Sequence, residues 1–507
     1  MGGTRVPRIT FLRIPPYFGI LMAHPQEAQL PLSVAGSAAY LLDAGFEVSV
    51  VDQWVASRSR RRLLIDVADT RPDLLVVLLD SQNHGVVLEM LDDIRFRDGG
   101  RPSLIAMGQY ADVFPERLAW PAGPFDACIV GEPEITLVEL ARRLTEGGEP
   151  RGIPGVVWAD RVHGVTVRNV ERPLIEDLDA MPLPAFGIFD LDSYSKQSSF
   201  VPVSHRLRWG WMLSSRGCPF NCRFCSPTLR KSTGMKYRAH SPGYVADAVE
   251  EMINVHGCNA LAFEDDVFSL SRGRTIGICR EFLDRGIDIP WTAETPLGTL
   301  DEETIRWMAR AGCRGICAGV ESGDDEIRDR LKGGSLKRDV LLRNVELLHQ
   351  NHINLTLYFM IGSPGETREQ MERTLDLAVK LKPMIIQLAC FTPYPGSVAW
   401  DEYLAGRDIE PEMSHYNRYA VNLSAIGRKE VIGFYRHFYR RFYFRPEYIV
   451  GYLRHRLKYT LRQNWRREGA FLLRSLIYLA MPASSIRFGS RRFGSRRFGR
   501  RKVRGVE

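Results

Sequence analysis

The sequence has no apolar run of about 20 residues, the length that a membrane-spanning helix requires. Its N-terminus also lacks the apolar segment of a secretory signal peptide. These two absences predict a cytoplasmic setting. In that reducing environment the nine cysteines of the 507 residues are not expected to form structural disulfides.

The body of the chain also lacks a net charge of either sign. Nine basic residues and the single acid Glu507 follow Met481, and together they account for the whole formal charge of +8. Specific nucleic-acid binding is therefore not expected of the body of the chain, the residues before Met481. After Met481, the Arg-Phe-Gly-Ser-Arg repeat predicts a disordered tail. Upstream, Ile449, Leu453, Leu457 and Leu461 predict a basic amphipathic helix. It can pack on the body or lie peripherally on the inner face of an anionic membrane.

Three of the cysteines are closely spaced. Cys218, Cys222 and Cys225 stand in Arg-Gly-Cys-Pro-Phe-Asn-Cys-Arg-Phe-Cys, separated by three residues and then by two. Thiolates are soft ligands that suit iron–sulfur clusters. A cubane cluster normally takes four cysteines, so three would leave one iron open to a small molecule. A structural zinc site is the alternative, but it would want a fourth ligand at short spacing.

The chain before this motif alternates short β-rich runs with amphipathic ones. Strands are predicted at 8–13, 46–52, 73–79, 103–107 and 126–130, and helices at 32–43, 86–97 and 133–145. This alternation predicts a parallel, doubly wound sheet that binds ligands at the carboxyl ends of its strands. A hairpin at 153–168 and a proline-containing linker follow.

From Trp209 the chain repeats a strand and a helix. The six predicted strands are 209–214, 260–263, 290–293, 314–320, 355–361 and 385–391. Six such units form a partial parallel barrel, with active groups at the carboxyl ends of the strands. The cysteine motif directly follows the first of these strands. Polar or glycine residues follow later ones: Asp265 and Asp266, Glu321 and Ser322, and Gly362 after Met360 and Ile361.

The cysteine motif resembles that of radical S-adenosylmethionine (SAM) enzymes. In that family the open iron of a [4Fe–4S] cluster binds SAM, and one electron cleaves the sulfonium to a 5'-deoxyadenosyl radical. The resemblance implies that Asp265 or Asp266 binds the SAM amino group and that Glu321 and Ser322 bind ribose. It places adenine against the backbone of Met360, Ile361 and Gly362. It also implies an electron donor such as flavodoxin or ferredoxin.

The N-terminal loops resemble those of the subgroup that carries a cobalamin-binding domain. The resemblance points to Ser81, Gly108, Gln109, Gly131 and Glu132 as cobalamin contacts. Many cobalamin domains carry Asp-x-His-x-x-Gly, whose histidine ligates cobalt, and the expected loop lacks it. The run 80–85 has Gln82 at the histidine position but follows another strand, so we interpret it as a coincidence. A degenerate domain that binds nothing is the alternative.

The resemblance implies an α/β chain whose cofactors are a [4Fe–4S] cluster, SAM and cobalamin. Five segments are predicted: a Rossmann-like cobalamin-binding domain (1–150), a hairpin and linker (151–205), a partial (β/α)6 radical SAM barrel (206–400), a helical C-terminal domain (401–480) and a disordered tail (481–507). The implied reaction is methylation of an unactivated carbon of a small biosynthetic intermediate. The basic amphipathic helix near the C-terminus favours a hydrophobic or lipid-like substrate. Cyclisation or rearrangement without methyl transfer is the second reading, and a non-catalytic iron–sulfur protein is the third.

Overall fold

Two β-sheets, one mostly parallel and one entirely parallel, dominate the structure, a computed structural model that describes residues 5–15, 29–56, 60–80, 83–91, 101–195, 207–225, 234–394, 396–404 and 421–459. Seven strands form the N-terminal sheet and six form the second. Helices connect successive parallel strands in both sheets. The predicted α/β class, with a Rossmann-like domain before a partial barrel, is confirmed.

The N-terminal sheet has the order β2-β1-β3-β4-β5-β6-β7. Its strands are β1 (Arg8–Arg13), β2 (Glu47–Asp52), β3 (Leu74–Leu78), β4 (Ser103–Met107), β5 (Ala127–Ile129), β6 (Val156–Asp160) and β7 (Val165–Arg168). The first five strands run parallel, and the hairpin β6–β7 joins the edge in antiparallel pairing. The first sheet thus continues past residue 150, where the sequence places the end of the domain.

Helices cover both faces of this sheet. They are α1 (Leu32–Asp43), α2 (Gln53–Ala56), α3 (Arg60–Thr70), α4 (His84–Leu91), α5 (Gln109–Val113), α6 (Pro115–Leu118) and α7 (Pro133–Thr145). Alternate residues of a strand point to opposite faces, so Phe11 joins the core that contains α1 and α7, while Leu12 joins the core of α3 and α4. This is the doubly wound arrangement that the sequence predicts.

The second sheet has the order β8-β11-β12-β13-β14-β15, all parallel. Its strands are β8 (Trp209–Met212), β11 (Ala260–Phe263), β12 (Trp291–Glu294), β13 (Cys313–Glu321), β14 (Asn354–Ile361) and β15 (Ile385–Cys390). A short antiparallel ribbon, β9 (Ser215–Arg216) and β10 (Arg238–Ala239), follows β8. In the described part of the chain the strands follow in sequential order and β8 does not pair with β15, which matches the predicted partial barrel.

The remaining helices lie between the sheets in sequence, around the barrel or after it. They are α8 (Leu191–Ser195), α9 (Pro242–Asn254), α10 (Arg272–Asp284), α11 (Glu302–Arg310), α12 (Asp325–Lys332), α13 (Arg338–Gln350), α14 (Arg368–Leu381), α15 (Val398–Tyr403), α16 (Arg428–Tyr443) and α17 (Pro446–Tyr459). Among the helices of eight or more residues, α3 and α12 were not predicted from the sequence, and neither were the short helices α2, α5, α6, α8 and α15. Among the described residues, no helix is long and apolar enough to cross a bilayer.

The carboxyl edge of the first sheet lies against the mouth of the barrel. Gln29, which follows β1, donates a hydrogen bond from Nε2 to Glu264 Oε2 at the end of β11, over 3.0 Å. At the end of β2, Asp52 Oδ2 accepts a hydrogen bond of 2.6 Å from the Tyr194 hydroxyl, and Tyr194 packs edge-on against Trp211 of β8. The ligand-binding edges of both sheets therefore face each other.

Candidate active site

The cysteines Cys218, Cys222 and Cys225 lie on the loop that leaves β9. Their side chains are half-buried, whereas five of the other six cysteines are buried in the core. Burial raises the pKa of the Cys218 thiol, and the nearby charge of Asp266 adds to the rise. Three partly accessible thiols on one loop are soft ligands of the kind that hold a [4Fe–4S] cluster with one iron free. In the described part of the chain no three metal-ligating side chains already lie close enough together to hold a metal ion, so these thiols would have to draw together around the cluster.

Backbone hydrogen bonds hold this loop in place at its centre. The Cys225 N–H donates to the Cys222 carbonyl oxygen over 3.1 Å and closes a turn. The Arg223 N–H donates to Leu331 O in α12, and Arg223 O accepts from the N–H of Ala399 in α15, each over 2.9 Å. The cysteine loop is therefore fixed between two helices that follow later barrel strands.

The adjacent acids after β11 have different environments. Asp265 is fully buried and accepts hydrogen bonds of 2.6 Å from the Ser214 N–H, the Ser214 hydroxyl and the Ser215 hydroxyl. Its carboxylate therefore braces the strand end that leads into the cysteine loop. Asp266 is half-buried beside Cys218. Of the two candidates for the SAM ammonium group, Asp266 is the less buried. Burial, together with the nearby Asp265 and Glu294, raises its pKa to about 7.

A second acidic pair lies at the ends of β11 and β12. Burial raises the pKa of Glu264 to about 8, and Glu294 and Asp265 contribute to the rise. Glu294 Oε1 accepts a hydrogen bond of 2.7 Å from the Tyr358 hydroxyl of β14. Sequence reasoning missed Glu294 and Tyr358, although Glu294 is the acid at the carboxyl end of a predicted strand. These groups present proton donors and acceptors at the barrel mouth.

Glu321 has a strained backbone and a buried side chain. Its φ is +67°, an uncommon value for a residue other than glycine, and a bulge interrupts the pairing of β13 with β14 just before it. Glu321 Oε1 lies 3.6 Å from Nζ of Lys332, which is also buried. A Cβ at Gly319 would lie 2.0 Å from Glu321 Oε1, so the carboxylate occupies the space that the glycine leaves.

Ser322, the other predicted ribose contact, is fully buried. Its hydroxyl lies 3.2 Å from the hydroxyl of Thr374 in α14 and accepts from the Asp324 N–H over 3.1 Å. These bonds pack the end of β13 against α14. A ribose could reach the Ser322 side chain only if this packing opened.

The last residues of β14 extend beyond the part of the strand that pairs with β13. That pairing ends at Phe359, so Met360 and Ile361 extend past it, while on the other side they pair with β15. The next residue, Gly362, has a φ of +77° and turns the chain away. Met360 packs in the same small apolar cluster as Phe224 of the cysteine loop. This strand end therefore lies beside the cysteine loop, where the resemblance places adenine.

Glycines shape two of the predicted cobalamin loops. Gly108 has a φ of +102°, and a Cβ there would lie 2.7 Å from Leu79 O, so only glycine fits. Gln109 begins α5 directly after it. The Gly131 N–H donates to Asp112 Oδ1 over 2.9 Å, which joins the turn after β5 to α5, the helix that follows β4. Ser81, another predicted contact, lies outside the described residues.

Glu132 faces the barrel and not an open ligand site. Its Oε1 accepts hydrogen bonds of 3.0 Å from Arg216 and from Arg238, and its Oε2 accepts one of 2.7 Å from the Ile175 N–H. The side chain is 4% exposed. The resemblance implies that Glu132 contacts cobalamin, but in the structure its carboxylate is taken up by the domain interface.

Comparisons with known proteins agree with this arrangement. Residues 212–378 match the model of the Radical SAM superfamily. The chain is 30% identical over 339 residues to the uncharacterized methyltransferase PH0819 of Pyrococcus horikoshii, covering 65% of this chain and 71% of that protein. It is 25% identical over 389 residues to the anaerobic magnesium-protoporphyrin IX monomethyl ester cyclase of Rubrivivax gelatinosus, covering 73% of this chain and 66% of that protein.

A solved structure shares the fold over both sheets. The radical SAM methyltransferase TsrM from Kitasatospora setae, determined with cobalamin and a [4Fe–4S] cluster bound, superposes with a TM-score of 0.61 at 21% identity, covering 78% of this chain and 74% of that one. The chain belongs to the radical SAM superfamily. Its N-terminal sheet and barrel give it the architecture of the cobalamin-binding subgroup. The prediction that the chain is a radical SAM enzyme of this subgroup is therefore confirmed.

Proposed function

We propose that this enzyme is a cobalamin-dependent radical SAM methyltransferase that acts on an unactivated carbon of a small molecule. The observation that carries the proposal is the apposition of the two carboxyl edges, seen in the Gln29–Glu264 hydrogen bond. A cofactor on the first sheet would meet a substrate at the barrel mouth beside the cysteine loop. The methyltransferase relatives support this reaction class.

Different residues at the barrel mouth would bind the cluster and the separate parts of SAM. Cys218, Cys222 and Cys225 would hold the cluster, which supplies the electron for SAM cleavage, while cobalamin supplies the methyl carrier. Asp266 would accept hydrogen bonds from the SAM ammonium group, since its carboxylate is half-buried beside Cys218. The open edge of β14 at 360–361 would bind adenine through its backbone.

The loops of the first sheet would receive cobalamin. Gly108 and Gly131 both have positive φ, and they keep the ends of β4 and β5 free of side chains. Gln109 would offer an amide to the cofactor periphery. Among the described residues, His84 stacks on Tyr110 with ring centroids 4.2 Å apart, so it is engaged in packing.

Product analysis tests the proposal. The enzyme would be reconstituted anaerobically with iron, sulfide, hydroxocobalamin and a flavodoxin or ferredoxin reducing system, then incubated with SAM carrying a labelled methyl group. We expect S-adenosylhomocysteine at one equivalent per bound cobalamin, and 5'-deoxyadenosine from cleavage. When a cell extract supplies the substrate, the label should appear in a small molecule.

A cyclase or rearrangement function is the second candidate, and the similarity to the anaerobic cyclase favours it. This reading keeps the same cofactors but transfers no methyl group. It predicts 5'-deoxyadenosine without S-adenosylhomocysteine in the same incubation. The two readings therefore differ in one measured product.

The C-terminal helices offer a surface for peripheral membrane contact. Phe444, Ile449 and Val450 are 44%, 41% and 45% exposed, and the exposed Arg440 and Arg441 lie on the preceding helix. Apolar side chains beside arginines suit an anionic lipid surface, as a lipid-like substrate would require. Replacing Ile449 and Val450 by Glu should abolish pull-down by anionic liposomes, and unchanged recovery would contradict the contact. The tail from residue 460 lies outside the described residues.

A further inference from the structure

Two glutamates of the first sheet and two arginines of the barrel form a buried network between the domains. Glu132 and Glu134 stand at the turn from β5 into α7, and Arg216 and Arg238 pair across the ribbon β9–β10. Arg216 Nη1 donates to Glu132 over 3.0 Å and Nη2 donates to Glu134 over 2.6 Å. One guanidinium therefore bridges two carboxylates of the other domain.

The network is largely shielded from water. The side chains of Glu132, Glu134, Arg216 and Arg238 are 4%, 2%, 12% and 3% exposed. An exposed ion pair constrains geometry weakly, whereas a buried one tolerates little displacement because each charge has lost its water. Arg238 also donates from Nη1 to Ile175 O in the linker. The four side chains thus define one relative position of turn, linker and ribbon.

Arg216 is the last residue of β9 and is separated from Cys218 by Gly217 alone. Gly217 has a φ of +87°, so the chain turns sharply between the network and the first cysteine. On the other side of the network, Glu132 directly follows Gly131, whose N–H donates to Asp112 in α5, the helix that follows β4. The network therefore gives a short covalent and hydrogen-bonded path from the cobalamin loops to the cysteine loop.

We propose that Arg216 is a positioning residue: by bridging Glu132 and Glu134 it sets the position of the cysteine loop relative to the cobalamin-binding edge. This inference rests on the proposed function, since it concerns the distance between the two cofactor sites. Arg216 itself touches neither cofactor in this role. The planar guanidinium is required because an ammonium group cannot reach two carboxylates in the same fork geometry.

The test compares Arg216→Lys with the wild-type enzyme, both loaded with cluster and cobalamin. Magnetic interaction between cob(II)alamin and the reduced cluster, measured by dipolar EPR, reports their separation without any turnover. We expect one narrow distribution of distances for the wild type and a shifted or broadened one for Arg216→Lys. Methyl transfer per SAM cleaved should fall roughly 10- to 100-fold, while the iron content stays unchanged.

Two further variants keep the test decisive. Glu134→Gln keeps the shape of the side chain. One oxygen of Glu134 is buried without a hydrogen-bond partner among the described residues, so the amide variant should fold. We expect it to shift or broaden the distribution of cluster–cobalamin distances less than Arg216→Lys does. Lys236→Gln is the matched control. It breaks the ion pair between Lys236, which precedes β10, and the linker residue Glu176, but both side chains are 64% exposed, so the variant should match the wild type.

The outcomes separate this inference from the proposed function. If folded Arg216→Lys and Glu134→Gln give the wild-type distance distribution, the positioning role is wrong whatever reaction the enzyme performs. If the wild type retains cobalamin and cluster but forms no S-adenosylhomocysteine, the proposed reaction fails, and the EPR comparison still decides the role of Arg216.

Discussion

The hydroxyl of Tyr443 in α16 lies 3.0 Å from the backbone nitrogen of Ile386 and 3.2 Å from its carbonyl oxygen, so it both accepts and donates a hydrogen bond. Tyr439 accepts from the Leu388 N–H over 3.1 Å, and Tyr448 donates to Met384 O over 2.9 Å. Since β15 is the edge strand of an unclosed barrel, these tyrosines occupy positions where another strand would pair.

Replacing Tyr443 by Phe should destabilise the barrel edge. The change leaves the buried N–H and C=O of Ile386 without partners, and we expect the free energy of unfolding to fall by about 1–3 kcal/mol. Urea denaturation followed by fluorescence measures it. Tyr403→Phe, which removes a hydroxyl bonded to the exposed side chain of Glu402, serves as the control. Equal stability of both variants would show that the tyrosine does not seal the edge.

Asp265 and Asp266 should respond differently to the same substitution. Asp265→Asn places an amide among three hydrogen-bond donors and should lower stability by about 3 kcal/mol, with loss of the cluster as the strand end loosens. Asp266→Asn should leave thermal stability unchanged and weaken SAM binding by roughly tenfold to a hundredfold, measured by equilibrium dialysis. The reverse pattern would assign the ammonium contact to Asp265.

The raised pKa of Glu264 should give the protein a pH-dependent stability. In the folded state this carboxyl stays protonated up to about pH 8, whereas in the unfolded chain it ionises near its ordinary value of 4.5. The folded state therefore binds the extra proton between these values, and stability falls as the pH rises through that window. Glu264→Gln removes this contribution.

The measurement is the midpoint of thermal unfolding at several pH values between 5 and 9, compared between wild type and Glu264→Gln. The difference between the two proteins should grow in favour of the variant as the pH rises, and it should level off above about pH 8. A difference that does not depend on pH would mean that Glu264 ionises normally in the folded enzyme.

Local sequence patterns predicted most of the framework. The strand at 8–13 and the helices at 32–43 and 133–145 have their predicted bounds. Hydrophobic periodicity, and the residues that begin and end an element, are local properties of the sequence. The cysteine loop was predicted from spacing alone. Local patterns do not predict which residues the side chains at the strand ends contact. Glu132 binds Arg216, 84 residues away along the chain, and Asp265 binds Ser214, 51 residues away. Such pairings depend on how two sheets are placed, which no local pattern contains.

The most direct test of the central claim is the yield of 5'-deoxyadenosine from SAM by wild-type and Cys222→Ala enzyme, reconstituted side by side and assayed for iron. We predict about four irons per wild-type chain with steady cleavage, and a variant that loses the cluster and forms no 5'-deoxyadenosine. A Cys222→Ala enzyme with undiminished iron and undiminished cleavage would contradict it.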